Sequence, residues 1–129
     1  KGKGTFCNDK KISVSDTSIL SEAICAVEFW SRDKSYQERG LQDFVHFARK
    51  TKKIRYLSSV VFELCRVAKG NMDFCIMDTT FVDIAAAKLI VEEAGGICRQ
   101  LDGQPTSQEP KAIMRVLTSN QLLNSQITV

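Results

Sequence analysis

Residues 82–96 read VDIAAAKLIVEEAGG, and this stretch decides the fold more than any other part of the 129-residue chain. Thr80 is followed three positions later by Asp83 and then by an apolar run, a spacing typical of a helix N-terminus. Gly95 and Gly96 follow the run and tolerate the left-handed backbone that ends many helices. The pattern therefore predicts a helix over residues 81–94.

Few long polar side chains interrupt this predicted helix. Lys88 and Glu92 are four positions apart and share one face, so the polar stripe is narrow and most of the helix surface must be covered. We therefore expect Ile84, Leu89 and Val91 to be buried, and Lys88 and Glu92 to lie at a layer edge or in solvent.

Asp83 has two interpretations from the residues alone. It caps the helix or complements its dipole, or it binds a metal ion. A single carboxylate cannot complete the octahedral shell of Mg²⁺, which needs further carboxylates, waters or phosphate oxygens. Ser58 and Ser59 begin a second predicted helix and pose the same choice between capping and facing an anionic or hydroxyl-rich ligand.

Strands and helices alternate along the chain. Periodicity and turn residues predict strands at residues 11–15, 23–29, 54–57, 72–76, 97–101 and 112–117. Helices are predicted at residues 36–50, 59–69 and 81–94, and a last one is predicted to start at Ser119 or Asn120 and to carry Leu122, Leu123 and Ile127. In the helix over residues 59–69, Glu63 and Arg66 mark the polar face. The alternation indicates an α/β fold, a layered domain with a mixed, mostly parallel sheet flanked by helices.

Composition indicates one globular domain over residues 1–129. Its net charge of +3, from 18 basic and 15 acidic residues, is too dispersed to indicate nucleic-acid binding. The five cysteines are odd in number and widely spaced, which predicts reduced thiols and a cytoplasmic protein. His46 is the one histidine, so a zinc site or a Cys/His pair has little support, and we expect His46 to be a helix residue at the surface or at the boundary of the core. No apolar run has transmembrane length and no signal peptide is recognisable, so no membrane partner is expected.

Three segments, in order, carry a resemblance to a known family. Residues 82–96 resemble the C-terminal signature of the inositol monophosphatase family, the Mg²⁺-dependent, lithium-sensitive phosphomonoesterases that include archaeal fructose-1,6-bisphosphatases. Residues 55–70, RYLSSVVFELCRVAKG, are similar to that family's Arg-x-x-Gly-Ser helix, and residues 2–15 resemble the start of its second half. The resemblance covers essentially the whole chain, but only the C-terminal half of a family member.

The resemblance implies a fold, a cofactor and a set of site residues. The fold would be the C-terminal half of an αβαβα sugar-phosphatase sandwich. Asp83 would be the one Mg²⁺ ligand from this chain, and the backbone around Ser58, Ser59 and Val60 would face a phosphorylated sugar or inositol substrate. The family's Gly-Glu-Glu and Asp-Pro-x-Asp-Gly-Thr motifs belong to the N-terminal half and do not occur here. We therefore expect that this chain lacks the N-terminal catalytic half and is inactive alone, and that the full-length protein is a homodimer.

The resemblance implies hydrolysis of inositol monophosphate or a related sugar phosphate by the full-length protein. Within enzymes, the alternatives are a fructose-1,6-bisphosphatase and a nucleotide bisphosphate phosphatase. Outside enzymes, the alternative is a binding or assembly domain without catalysis. Departures from the family pattern bear on the substrate: Ser58 stands at the usual Gly position, Val82 replaces an aromatic residue, Ala87 replaces a common Gly, and the segment over residues 74–81 is short.

Overall fold

The computed structural model describes residues 2–29 and 33–127. Its helices are α1 (Lys34–Ala48), α2 (Val60–Ala68) and α3 (Phe81–Glu93), with a 3₁₀ turn at Leu20–Glu22. Its strands are β1 (Thr5–Cys7), β2 (Lys10–Ile12), β3 (Ile24–Val27), β4 (Lys53–Arg55), β5 (Phe74–Thr79), β6 (Ile97–Gln100) and β7 (Met114–Ser119). No helix among these residues is long and apolar enough to cross a bilayer.

The main sheet has five strands in the order β4-β3-β5-β7-β6. Strand β3 runs parallel to β4 and β5, whereas β7 runs antiparallel to β5 and β6. Four strands therefore share one direction and β7 opposes them, which confirms the predicted mixed, mostly parallel sheet. The pairing of Ala26 with Cys75 and of Ile76 with Leu117 fixes the register at the centre of the sheet.

Alternating side chains divide the core between the two faces of this sheet, because successive residues of a strand point to opposite sides. On one face, Val27, Phe74 and Ile76 pack with Phe47 of α1 and with Leu123 and Ile127. On the other face, Ala26, Cys75 and Met77 pack with Leu64 and Val67 of α2 and with Ile84 and Val91 of α3. The result is a three-layer α/β/α domain, which matches the predicted fold class.

The N-terminal segment forms a hairpin instead of the single strand predicted at residues 11–15. Strands β1 and β2 pair antiparallel, with Thr5 opposite Ile12. Asn8 and Asp9 join them with φ values of 50° and 62°, as a type I′ turn requires. Strand β1 was missed because it has only three residues and its turn lacks the usual glycine.

The predicted C-terminal helix does not form, and residues 121–126 make turns instead. Asn120 does cap this segment, since its Oδ1 accepts the amide of Leu123 at 2.9 Å. Arg99 binds both the side-chain and the backbone oxygen of Asn124, at 2.8 and 3.2 Å. These bonds from β6 hold Asn124 in the turn. Leu123 and Ile127 are buried, whereas Leu122 is 52% exposed.

Two burial predictions for the helices were wrong. Glu63 was assigned to the polar face of α2 but is fully buried, and Leu89 of α3 was expected in the core but is 39% exposed. The other expectations for α3 hold, because Ile84 and Val91 are buried and Lys88 pairs with Glu92 at the surface. The covered side of each helix faces the sheet, while the outer sides expose Val61, Phe62 and Val82.

Candidate substrate and metal site

The predicted site residues lie at one edge of the sheet. Strands β3, β4 and β5 run in the same direction, so their carboxyl ends meet at that edge. Helix α2 begins shortly after β4, helix α3 begins shortly after β5, and the two helices pack against each other. The fold therefore brings Asp83 and the Ser58–Val60 segment to the same edge of the domain.

Asp83 is exposed in the first turn of α3. Oγ1 of Thr80 donates to Oδ2 of Asp83 at 2.7 Å, and the Thr80 side chain makes no hydrogen bond to the backbone of the first helical turn. The Thr80 hydroxyl thus orients the carboxylate of Asp83 instead of capping the helix. An oriented, solvent-accessible carboxylate at a helix start can bind a cation or orient a water molecule.

Asp83 offers Mg²⁺ a suitable type of ligand atom, although not a complete set of ligands. A carboxylate oxygen is the hard ligand that Mg²⁺ prefers, and Mg²⁺ usually takes one or two protein carboxylates together with waters and phosphate oxygens. Over residues 2–29 and 33–127, no group of three or more His, Cys, Asp or Glu side chains could hold a metal ion. Asp83 can therefore serve as one ligand of a shared site, and its metal role stays a prediction.

The segment before α2 has an unusual backbone. Ser58 has a φ of 53°, a left-handed conformation that glycine adopts more readily than a residue with a Cβ. Ser59 is extended, with a φ of −149°, and as the N-cap of α2 it makes no side-chain hydrogen bond to the helix. Both serines are exposed and Val60 is half-buried. The serine hydroxyls thus do not act as caps, and the start of α2 faces solvent.

Two buried acids lie beneath this segment: Glu28, which the sequence pattern does not single out, and Glu63, which the pattern assigns to the polar face of α2. Glu28 follows β3, is 8% exposed, and accepts the amides of Leu57 and Ser58 through Oε1 at 2.8 and 2.7 Å. Glu63 is fully buried, and its Oε1 lies 3.3 Å from the amide nitrogen of Leu57. Burial first, and then the adjoining Glu28 carboxyl, raise the pKa of Glu63 to about 9. Glu63 is therefore protonated near neutral pH.

A second charged cluster joins α1 to the same edge. Asp78 of β5 is buried and binds Arg39 at 2.5 Å and Arg115 at 3.3 Å, and Arg115 also pairs with Asp43. Burial raises the pKa of Asp78 against the opposing effect of Arg39. Burial, helped by the charge of Arg39, lowers the pKa of Arg115 to about 10. Three members of the cluster, Arg39, Asp43 and Arg115, line a cleft of about 390 Å³. The other lining residues are Gln42, Gln100, Leu101 and Asp102.

The histidine and the cysteines, the other residues considered for catalysis, do not form part of this site. His46 lies half-buried in α1, as expected, and its pKa is lowered by burial and by Lys50. All five cysteines are free thiols, which confirms the expectation of reduced cysteines. Burial raises the pKa of Cys25 to about 11, so this thiol is not activated as a nucleophile.

Comparison with known proteins supports the fold assignment. The chain is 35% identical over 105 residues to "Putative Nus factor SuhB" of Neisseria meningitidis serogroup B, covering 81% of this chain and 40% of the relative. It is 39% identical over 102 residues to the fructose-1,6-bisphosphatase/inositol-1-monophosphatase of Methanothermobacter thermautotrophicus, covering 75% of this chain and 33% of the relative. The inositol monophosphatase structure from Anabaena (Nostoc) sp. PCC 7120 superposes with a TM-score of 0.87 at 27% identity, over 97% of this chain and 49% of that one.

These relatives are longer than this chain, which spans less than half of the length of each. A sequence model of the inositol monophosphatase family matches residues 1–127. That match covers all three segments that carry the resemblance and both helix starts at the site edge. The chain therefore belongs to the inositol monophosphatase family.

Proposed function

We propose that this chain is the C-terminal domain of a Mg²⁺-dependent phosphomonoesterase that hydrolyses inositol monophosphate or a related sugar phosphate. The observation that carries the proposal is the placement of Asp83 and the Ser58–Val60 segment at one sheet edge in a chain of the inositol monophosphatase family. Ligands of α/β proteins bind outside the carboxyl ends of parallel strands, which is where these residues lie.

Each part of the site has a role that follows from its chemistry. Asp83 would hold a Mg²⁺ ion through the carboxylate that Thr80 orients. The backbone N–H groups from Ser58 to Val60 would face the substrate, because amides at the start of a helix bind anions and hydroxyl oxygens. When bound, Mg²⁺ supplies a Lewis acid for water activation and for charge on the departing oxygen.

Catalysis would need ligands from outside this chain. A lone carboxylate holds Mg²⁺ weakly, so we place the partner acids in an N-terminal half and expect the 129-residue chain to be inactive by itself. We also propose that the full-length protein is a cytoplasmic homodimer. The archaeal relative is named fructose-1,6-bisphosphatase/inositol-1-monophosphatase, which supports fructose 1,6-bisphosphate as the alternative substrate.

A phosphatase panel on the full-length protein tests the proposal. The panel contains an inositol monophosphate, fructose 1,6-bisphosphate and a nucleotide bisphosphate, each assayed with Mg²⁺ and with a chelator. We expect Mg²⁺-dependent release of phosphate, fastest from the inositol monophosphate. Faster release from fructose 1,6-bisphosphate or the nucleotide would replace the substrate assignment. No release from any compound would overturn the enzyme assignment in favour of a binding or assembly domain.

A further inference from the structure

Glu28 is placed to control the segment that precedes α2. Its backbone amide still belongs to the sheet, since it donates to the carbonyl of Ile76 at 2.8 Å. Its side chain reaches past the sheet edge and accepts two consecutive amides, from Leu57 and Ser58, through the single atom Oε1. A rigid strand end is thereby tied to the exposed loop at two adjacent points.

The loop needs such an anchor because of its backbone conformation. A left-handed conformation at a residue with a Cβ carries a steric cost. Ser58 adopts it with a φ of 53°, and the amide of this same residue makes the shorter of the two bonds to Glu28, at 2.7 Å. Hydrogen bonds to a charged acceptor are about twice as strong as neutral ones, so Glu28 can offset the cost. Without the carboxylate, the loop would relax toward other conformations.

A second buried acid, Glu63, adjoins Glu28. Glu63 approaches from α2 and shares the amide of Leu57, and two ionised carboxyls cannot be kept so close in a buried place. Cys75 of β5 faces Glu63, and burial raises the pKa of its thiol well above the usual range, so it adds no charge. The raised pKa of Glu63 favours its neutral form, so Glu63 does not compete as a charged acceptor for the amide of Leu57.

We propose that Glu28 is a positioning residue for the phosphorylated substrate: it holds Leu57 and Ser58 so that the amides at the start of α2 point toward the substrate. This inference rests on the proposed function, because it assumes that the Ser58–Val60 segment contacts substrate. Glu28 itself is buried beneath the loop and touches no substrate atom. Its effect passes through the backbone that it binds.

The fold provides a matched control at the opposite edge of the same sheet. Asp73 precedes β5, is also buried, and accepts the amide of Ile24 at 2.6 Å and the hydroxyl of Ser15 at 2.6 Å. It is therefore a buried acid that stabilises backbone through similar bonds, far along the strands from the site edge. A substitution of Asp73 should affect folding but not substrate binding.

The experiment compares Glu28→Gln, Glu28→Ala and Asp73→Asn in the full-length protein. Steady-state kinetics with the best substrate of the panel are combined with urea unfolding and with hydrogen exchange at the amides of Leu57 and Ser58. We expect KM to rise about tenfold in Glu28→Gln and further in Glu28→Ala, with kcat changed less than about threefold. Amide exchange at Leu57 and Ser58 should accelerate about tenfold or more in both variants. Asp73→Asn should lose stability at unchanged KM.

The outcomes separate this inference from the proposed function. If the wild-type protein releases phosphate and Glu28→Gln keeps the wild-type KM, the positioning role is wrong while the proposed function stands. If Asp73→Asn raises KM as much as Glu28→Gln does, the effect is one of general stability and the positioning role is again wrong. If the wild-type protein has no phosphatase activity, the proposed function fails and the inference fails with it.

Discussion

Ser58 donates its amide to Glu28 across 2.7 Å while its own backbone is held at a φ of 53°. Ser58, whose backbone conformation is strained, is thus also bound by the buried carboxylate of Glu28. This relationship explains how a serine is held in a backbone conformation that favours glycine. It also makes the loop before α2 sensitive to both residues.

Replacing Ser58 by glycine should relieve the strain. Glycine reaches the left-handed region without a steric cost, so we expect Ser58→Gly to raise the free energy of unfolding by up to about 1 kcal/mol. Ser59→Gly is the control, since Ser59 is extended with a φ of −149° and should lose a few tenths of a kcal/mol. Urea unfolding of the full-length variants measures both. If Ser58→Gly is less stable than Ser59→Gly, the backbone of Ser58 is not strained in the wild-type protein.

Glu63 should make stability depend on pH. Its pKa rises from 4.5 to about 9 on folding, so the native state keeps a proton that the unfolded state releases above about pH 4.5. The stabilisation from this proton is complete below pH 4.5 and is lost as the pH rises toward 9. Glutamine cannot ionise, so Glu63→Gln should gain stability relative to wild type, by about 1 kcal/mol or more between pH 5 and pH 8.

Urea unfolding at pH 5, 6.5 and 8 measures this difference, with Glu109→Gln as the control because Glu109 lies exposed in a loop. The control should track the wild type at every pH. A constant stability difference between Glu63→Gln and wild type across this range would mean that Glu63 is already ionised in the folded protein.

Gly40 of α1 should not tolerate a methyl group. A Cβ at this position would lie 2.0 Å from Cβ of Phe29. Helix α1 would therefore have to move away from Phe29. We expect Gly40→Ala to cost about 2 kcal/mol of unfolding free energy, despite the better helix propensity of alanine. Gln42→Ala, in the exposed part of the same helix, should change stability by less than about 0.5 kcal/mol. Equal stability of the two variants would show that Phe29 does not pack against α1.

The isolated 129-residue chain should self-associate. The outer sides of α2 and α3 expose Phe62 by 51% and Val82 by 67%, close to the site edge where we place an N-terminal half. Apolar side chains grouped in this way favour association. Sedimentation equilibrium should show oligomers that Phe62→Lys with Val82→Lys dissociates. Leu122→Lys, on the opposite face of the sheet, should leave them intact, and a chain that stays monomeric at high concentration would contradict the prediction.

The long, strongly patterned elements could be predicted from the sequence. Helix α2 was placed at residues 59–69 and occupies Val60–Ala68, and helix α3 was placed at residues 81–94 and occupies Phe81–Glu93. Their start residues and glycine stops are local signals. Hairpin β1-β2 and the turns after Asn120 escaped prediction, because three-residue strands carry little periodicity and because Arg99 approaches Asn124 from a distant strand.

Part of the candidate site could also be predicted from the sequence. The family resemblance and the direction of parallel strands were enough to bring Asp83 and Ser58 to one edge. The sequence pattern assigns Glu63 to a polar helix face. Its burial depends on the contact with the loop at residues 57–58 and on Glu28, which is distant in sequence, so the pattern within the helix does not show it. Glu28 directly follows an apolar strand, and this position was the signal in the sequence that could have marked it as a site residue.

The metal role of Asp83 is the centre of the account, and one measurement tests it most directly. Mg²⁺-activated phosphate release by the full-length protein is compared with that of Asp83→Asn and of the exposed control Asp16→Asn. We expect Asp83→Asn to keep the wild-type fold and to lose turnover by about a hundredfold or more, while Asp16→Asn behaves as wild type. Wild-type turnover and Mg²⁺ activation in Asp83→Asn would contradict it.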